Sequence, residues 1–565
     1  DAFESKSKNV PELNDLKANI TSAEGINSVY IDRIEQGLRV LEGKIPADKL
    51  ALLKPDQSRS APKVAETQAE WMYPKITEPF HTTDTMFMLS ASNAVTSAYT
   101  QQCEDILNYH MNNSINKRLM IDQAAKQFYD KGVLIGKVQW DLEEIEETVT
   151  VAITKYDEYG NPFTVNEDKT MTFLTVNKPD IILCKYNSVI IDPSCKGDLN
   201  KAKFIAHKYV TCKADLHKDR RYKNLDLIEF HDEASATDYV VGDSKEATQG
   251  QNSLDNMQFT DDARKLFYVT EYWGYLDVEK NGLLSPVVIT YAGDVVIRAE
   301  LSPYPDGKLP FVSASYLVEE DSIYGKSNNN LLDTDQQIIG NLTRNLLDQI
   351  SSTMDSREIY HPNLFKNSTE KKKYINGIPA ESSGHINPAV GIWKDTNERN
   401  VDTSLVQLIQ MFNTNVQDNT GIMPMGQNAG NKFNSANAVT AYVDSSANRD
   451  ATILGRFAEF WKQVGIKFLS MSLHFMEDEE IMAITGLSEV ISFPPNFPLT
   501  IPAYKLETAI ATDGSKRVKI NQLIELLQLA SEVADKEVIG KVIARICVLS
   551  GEKSLGFDIM QIINA

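Results

Sequence analysis

Three small constellations in this sequence hold residue types that do chemistry in other proteins. The first is a Gly-Lys pair beside a hydroxyl. Gly325-Lys326-Ser327 reproduces the last three positions of a phosphate-binding loop. In such a loop, backbone amides freed by glycine wrap the phosphate while the lysine and hydroxyl reach its oxygens and Mg²⁺. The position that needs the first glycine is Glu320. A second pair, Gly136-Lys137, follows Gly132 at the wrong spacing and carries Val138 where the hydroxyl belongs. Both are rejected as nucleotide sites. The second constellation is His207, Cys212 and His217, evenly spaced nitrogen and sulfur donors of the kind zinc takes. No fourth donor lies adjacent and 204–210 alternates like a strand, so core or surface histidines are expected and no metal. The third is a pair of acidic clusters, at 141–147 and 477–480. Paired carboxylates serve glycoside hydrolysis or hold Mg²⁺, but only at a set spacing across a cleft. Like charges at the end of an element are ordinarily a solvated face. No GxSxG, HExxH or GxGxxG occurs. The expectation is a protein with no catalytic residue and no cofactor.

The elements that must hold these residues follow from periodicity. Residues 14–53 space their apolar side chains as a helix does, through Leu38, Leu41 and Leu50, and a polar, basic linker follows at 54–63. A second helical region, 93–131, stops at Gly132. From there the period falls to two: 133–140, 148–153, 172–176, 181–192, 204–210, 267–277 and 286–299 read as strands, with Gly160-Asn161-Pro162 and Ala292-Gly293-Asp294 as turns. Residues 234–262, rich in Asp, Ser, Gln and Gly, read as a loose excursion. Beyond Tyr324 the chain turns helical. Residues 328–356 carry one stripe through Leu331, Ile338, Leu342, Leu346, Ile350 and Met354, a rod roughly 40 Å long. Prolines 362, 379 and 388 break 357–400, and 404–419 is a second helix. The loop GIMPMGQNAGNKF (421–433) leads into a long helical pattern at 435–476, and helices are expected again at 516–534 and 536–549.

At 565 residues the chain is too long for one compact core, and with 42% apolar and 24% charged residues it can bury a real one. The numbering opens on Asp1 rather than Met, which leaves room for a preceding leader, although nothing near Asp1 looks like a secretory signal. No apolar run is long enough to cross a bilayer, so a soluble protein with no membrane partner is expected. Five scattered cysteines without a CxxC pair suggest buried thiols in a reducing compartment. The net charge of −21 argues against a tight grip on DNA, which needs Lys and Arg to neutralise phosphates.

The succession of helix, Pro/Gly-broken segment, helix, loop and very long helix resembles the stem, clip, stem, channel loop and wing helix of tailed-phage portal (head-to-tail connector) proteins. Shorter stretches carry the same likeness. Tyr324-Gly325-Lys326-Ser327, followed by Asp335-Gln336, Asn341, Arg344-Asn345 and Asp348, is similar to the start of the first stem helix in those chains. Asp130-Lys131-Gly132, Lys137-Val138, Trp140-Asp141, Ile191-Asp192-Pro193, Glu271-Tyr272-Trp273-Gly274, Pro303-Tyr304-Pro305 and Leu309-Pro310-Phe311 resemble the passage into the wing strands. The likeness runs from about Asn93 to the end and is nearest to the larger portals of short-tailed phages.

The resemblance implies an α+β portal fold. Its parts are a wing body at 1–327, a first stem helix at 328–356, a clip at 357–403, a second stem helix at 404–420 and a channel loop at 421–434. A long wing helix and return (435–510) and a helical crown (511–565) complete it. It implies a ring of twelve copies at one capsid vertex, in the virion and before that in the host cytoplasm during assembly. The ring would admit and release double-stranded DNA without tight binding. Its implied partners are the major capsid protein, the terminase large subunit and a head-to-tail adaptor. Candidate functional residues follow. Asp333, Asp335, Asp348 and Asp355, against the single Arg344, would make an acidic stem. Met425, Gln427, Asn428, Asn431, Lys432 and Phe433 would face DNA from the channel loop. Residues 357–400 hold seven Lys or Arg against five Asp or Glu, and Lys366, Lys371, Lys372 and Lys373 would meet partner proteins there. Two alternatives differ in kind: another connector or tail protein lacking the stem, and a hydrolase using acid and base carboxylates.

Overall fold

The computed structural model of the chain describes residues 13–485 except 46, 54–56, 83–84, 92–98, 157–161, 229–260, 355–357, 361–367, 370–371, 373–391, 395–402 and 421–435. It also describes 504–508, 523–525, 539–540, 542–543 and 546. In chain order the elements are α1 (Leu13–Leu41), α2 (Ala47–Leu52), α3 (Val64–His81), β1 (Phe87–Ala91), α4 (Thr100–Tyr109), a π turn (His110–Ser114) and α5 (Lys117–Lys131). Next come β2 (Val133–Tyr156), β3 (Pro162–Leu183), β4 (Val189–Ile191), β5 (Phe204–Cys212), α6 (Lys213–His217), β6 (Leu266–Leu276), β7 (Ser285–Ala292), β8 (Val295–Leu301) and β9 (Phe311–Ser315). The remainder is α7 (Asn328–Met354), β10 (Glu358–Tyr360), β11 (Ile392–Lys394), α8 (Thr403–Thr420), α9 (Ala436–Phe475), α10 (Asp478–Thr485) and β12 (Tyr504–Thr508). Helix and sheet are mixed, an α+β arrangement. The chain forms two compact units, one of residues 1–38, 69–330 and 426–565, the other of 39–68 and 331–425.

The first unit holds two larger sheets. Strands β4 to β8 form an antiparallel sheet in chain order, and β3-β2-β9 form a three-stranded one. Alternation along β6 sends Tyr272 to one face, where it joins Ile190, Ala206, Ile289 and Tyr291 beneath Leu16, Ile20 and Ala23 of α1. A second cluster gathers Leu216, Leu225 and Ile228 with Val269, Ala292 and Ile297. Helix α9 buries Phe457, Phe460, Trp461, Val464 and Phe468 at helical spacing, and Phe457 meets Phe80 and Phe128. In the second unit Val40, Ala65, Leu332, Ile339 and Val416 form the core. Gln336 ties it by accepting from the Ala65 amide (2.8 Å) and donating to the Val40 carbonyl (2.5 Å). Strands β10 and β11 pair antiparallel.

The Gly-Lys pairs acquire a structural explanation. Asn116 caps α5 by accepting from the Leu119 amide (3.3 Å), and the helix ends at Gly132 with φ +75°. A Cβ on Gly132 would lie 2.5 Å from the Ser327 nitrogen, and one on Gly325 would lie 2.6 Å from the Leu317 carbonyl oxygen and 2.7 Å from that of Gly132. The two glycines therefore let two backbone segments touch. Ser327 completes the motif as a cap, its Oγ accepting from the Asn330 amide (3.2 Å) at the start of α7.

Several expectations differ from the structure. Residues 14–53 are two helices, because Gly43 (φ +68°) ends the first. Helix α3 went unread; its stripe Ala69, Met72, Ile76 and Phe80 is buried despite Pro74 and Pro79. The helical stretch before Gly132 is broken by the π turn, and 181–192 splits between β3 and β4. On α7 the buried pair is Leu332 and Ile339, whereas Leu331 is 40% exposed. Strand β12, paired with β1, was not foreseen. The turn residues Gly160 and Asn161, the excursion 234–260 and most of the crown region lie outside the described residues.

Gly325→Ala should lower unfolding stability by about 1–3 kcal/mol through backbone overpacking. Thermal or denaturant melting checks it, and nucleotide should not alter the melt of either form.

Candidate functional site

The register across the five-stranded sheet lines up His207 (β5), Glu271 (β6), Thr290 (β7) and Arg298 (β8) side by side. Glu271 alternates with Tyr272, so this row lies on the face away from α1. Lys137 reaches it from β2, a strand of the other sheet, and donates to Glu271. The side chains of this pair are 7% and 2% exposed. Arg298 donates through Nε to Glu300 (2.7 Å), and its guanidinium lies 5.6 Å from the centre of the Tyr222 ring. The Lys137 ammonium sits about 6 Å from the Tyr209 and Trp273 rings. Beside these groups a cavity of about 1060 Å³ opens, bordered also by Trp140, Asp141, Glu143 and Lys218.

Electrostatics fix the protons. Burial opposes the charge on Glu271, but Lys137 and Arg298 outweigh it and hold the carboxyl below the usual carboxylate range. Burial likewise opposes the Lys137 charge, and Glu271 restores it and raises the pKa. Burial, with Lys137 adding to it and Glu271 opposing, pushes His207 down to about 4, so its imidazole is neutral. Cys184, also on the cavity, is pushed up to about 12 by burial and is an inert thiol. Among the described residues, His207 Nδ1, Trp273 Nε1 and Thr290 Oγ1 find no hydrogen-bond partner. The cluster contains a base and an acid by type, yet their charges are locked on each other. Its chemistry is that of a clamp between two sheets.

The other predicted residues fall in separate places. His207 is in this row, Cys212 approaches Asp215 at 3.1 Å, and His217 is exposed at the end of α6. They do not converge, and no group of three His, Cys, Asp or Glu is arranged for a metal among the described residues. Of the acidic clusters, Asp141 and Glu143 border the cavity, while Glu480 in α10 accepts from Asn177 at 3.2 Å. On α7, Asp333 accepts from Gln337 (2.6 Å), Asp335 from Asn419 of α8 (3.1 Å) and Asp348 from the Ser58 amide (2.8 Å). Arg344 is buried against the Ser60 carbonyl (3.2 Å). Lys372 is exposed. Asp355, Lys366, Lys371, Lys373, Met425, Gln427, Asn428, Asn431, Lys432 and Phe433 lie outside the described residues.

Sequence reasoning passed over Lys137, Glu271 and Arg298. The available signal was a charge inside two largely apolar strands, Lys137 in VLIGKVQW and Glu271 in FYVTEYW, while Arg298 in VVIRAE has Glu300 two residues on. A lone charge among strand residues calls for an opposite charge from another strand.

Residues 13–556 match the family model described as the phage SU10 portal protein. The chain belongs to that family. It is thus a portal protein, a structural component of the phage virion at a capsid vertex and a head–tail connector. Portal chains act as an oligomeric ring with capsid and terminase partners, and the family is structural rather than enzymatic. No described helix of this portal chain is long and apolar enough to cross a membrane. Cys103, Cys184, Cys195 and Cys212 are buried and form no disulfide among the described residues.

Lys137→Met strands the Glu271 charge in the core and should cost about 3–5 kcal/mol in denaturant unfolding, whereas Lys137→Met with Glu271→Leu should recover most of it. Acid should act through the buried histidines. His110, by burial, and His207 both have folded pKa values of about 4, below the ordinary histidine value. The stability they contribute is complete above about pH 6.5 and is lost as pH falls through 4. Asp130 runs the other way: burial raises it to about 6 against the Tyr73 hydrogen bond, so its contribution is lost as pH rises through 6. Melting temperature should therefore decline from pH 6.5 to 4, and more steeply in Asp130→Asn.

Proposed function

We propose that twelve copies of this chain close into a ring whose channel passes double-stranded DNA inward during packaging and outward during ejection, without holding it. The observation carrying this reading is the acidic character of α7. Asp333, Asp335 and Asp348 lie along one rod, and the only cation near them in sequence, Arg344, is buried against a backbone carbonyl. A surface of this sign repels phosphate, and a conduit gains from that because every tight phosphate contact is a brake. The net charge of −21 points the same way.

In this reading α7 and α8 are the stem. Their partly exposed apolar residues, Leu331 and Leu347 on α7 and Val406, Leu408 and Met411 on α8, are then contacts between neighbouring copies. Residues 357–403 form the clip, whose lysines Lys366, Lys371, Lys372 and Lys373 meet the terminase and afterwards the head-to-tail adaptor. Residues 421–434 form the channel loop, whose polar side chains and Lys432 graze the DNA. The wing body spans 1–327, the long helix and return 435–510, and the crown 511–565. Assembly takes place in the host cytoplasm.

Imaging of the purified protein down its axis, together with particle mass, tests this directly. A closed ring near twelve subunits is expected, and a stable monomer at micromolar concentration would sink the proposal. In complemented infections, Asp333→Lys with Asp335→Lys should leave rings intact while lowering the packaged DNA per head severalfold, because cations on the wall grip phosphate. Normal filling of heads would exclude the acidic stem as a DNA-facing wall.

A further inference from the structure

Strands β2 and β3 are far longer than the sheet they belong to. β9 pairs only with residues 133–137 of β2, so from Val138 outward β3 is its one strand neighbour among the described residues. The pairing nevertheless continues to Tyr156↔Pro162. From Glu144 to Tyr156 this two-stranded arm spans roughly 40 Å at about 3.3 Å per residue. Two-stranded ribbons are marginal in water unless a face is covered.

The register shows that this arm has such a face. Where the arm leaves the sheet, the even-numbered Val138 and Trp140 are in the core, the odd Gln139 between them is only half-buried, and Trp140 stacks on Phe475 at 5.3 Å. Between Glu143 and Glu144 the register shifts, with Thr175 left out of the pairing. Opposite residues share a face, so one extra residue in β3 exchanges its faces relative to β2. Beyond the shift, Ile145 pairs with Phe173, Glu147 with Met171, Val149 with Lys169, Val151 with Glu167, Ile153 with Val165 and Lys155 with Phe163. That face has eight apolar positions of twelve, and its two acidic and two basic positions cancel. The alternate face, from Glu144↔Leu174 to Thr154↔Thr164, is almost wholly polar and carries three acids. Without the shift, the odd positions of β2 would oppose Thr164, Asn166, Asp168 and Thr170, and no apolar face would exist. Thr148 and Thr150 are exposed and Val149 between them is half-buried, in agreement with the alternation.

The apolar side has thus moved from the parity of Val138 and Trp140, the latter covered by Phe475 of α9, to the odd positions. The polar segment 234–262 has few large apolar residues with which to cover it. Charge narrows the choice of occupant. Copies at −21 repel one another, and a charge-balanced apolar strip is where such copies can touch. We propose that the odd-numbered face of the β2–β3 arm docks on the next copy of the chain around the ring, as a heterologous contact repeated at every subunit. The inference rests on the ring reading above.

The test compares Val149→Asp with Ile153→Asp, placed on the apolar face, against Thr150→Asp on the polar face, all in the full-length protein. Sedimentation and particle mass read assembly, and far-UV circular dichroism reads folding. The double variant should keep the wild-type spectrum and need at least tenfold more protein to assemble, while Thr150→Asp assembles as wild type. A photo-crosslinker at Val151 in assembled particles should join subunit to subunit. Equal assembly of both variants, or crosslinks confined to one chain or made to a different virion protein, overturns the proposal. A monomeric wild type would instead refute the ring itself, so the two failures are told apart.

Discussion

One buried ion pair, Lys137 with Glu271, decides how the first unit is put together. It fastens the β3-β2-β9 sheet to the five-stranded sheet, beside the contact of Phe311 in β9 with His207 in β5, and both charges are almost wholly out of water. A pair of well-packed apolar residues would hold the sheets as well or better, because desolvation consumes most of the Coulomb gain. We read the pair as a registry device. A lysine must meet a glutamate, and a slip of β2 by one residue would put Gly136 or Val138 opposite Glu271 and strand two charges. The row His207, Glu271, Thr290 and Arg298 extends the constraint across four strands. His207 stays neutral beside the pair chiefly because it is buried, with Lys137 adding to the effect.

The same register governs what lies beyond the sheet. Once Lys137 is fixed, the parity of every later residue in β2 is fixed too. The core therefore takes Val138 and Trp140, and the odd positions further out are left to whatever meets the arm. The bulge at Glu143/Glu144 makes those positions useful by bringing Phe173, Met171, Val165 and Phe163 onto the same face. At the other end of β2, Gly132 permits a backbone contact with 326–327 that sets where α7 begins. An element that resembles a phosphate loop in sequence is, in space, a glycine contact followed by a serine cap.

The helices were legible because their signals are local. The Gly132 terminus of α5 and the stripes of α8 and α9 can be read within a dozen residues. The strands β5 to β8 were legible for the same reason. What could not be read depends on distant partners. Nothing local joins Lys137 to Glu271 or Asp348 to the Ser58 amide, so the buried charges looked like scattered ones. Helix α3 carries Pro74 and Pro79, which argue against a helix locally, yet burial of Met72, Ile76 and Phe80 outweighs them. The choice of Leu332 over Leu331 as the core residue of α7 was missed because a stripe of half-apolar positions has no unique face until a partner is packed on it. The acidic α7 was visible directly, as a count of charges on a helix needs no partner.

Acidity poses the remaining problem of a channel, because the feature that suits DNA passage works against assembly. Every copy carries −21, and in a ring those charges are brought within contact distance of their neighbours. At physiological ionic strength screening acts over about 8 Å, so it weakens repulsion between distant surfaces but not between touching ones. Contacts between copies must then be drawn from surfaces with little net charge. The exposed surface offers such a place in Val406, Leu408 and Met411 on α8. Acids lie elsewhere, among them Asp333, Asp335 and Asp348 on α7 and Asp141 and Glu143 at the cavity.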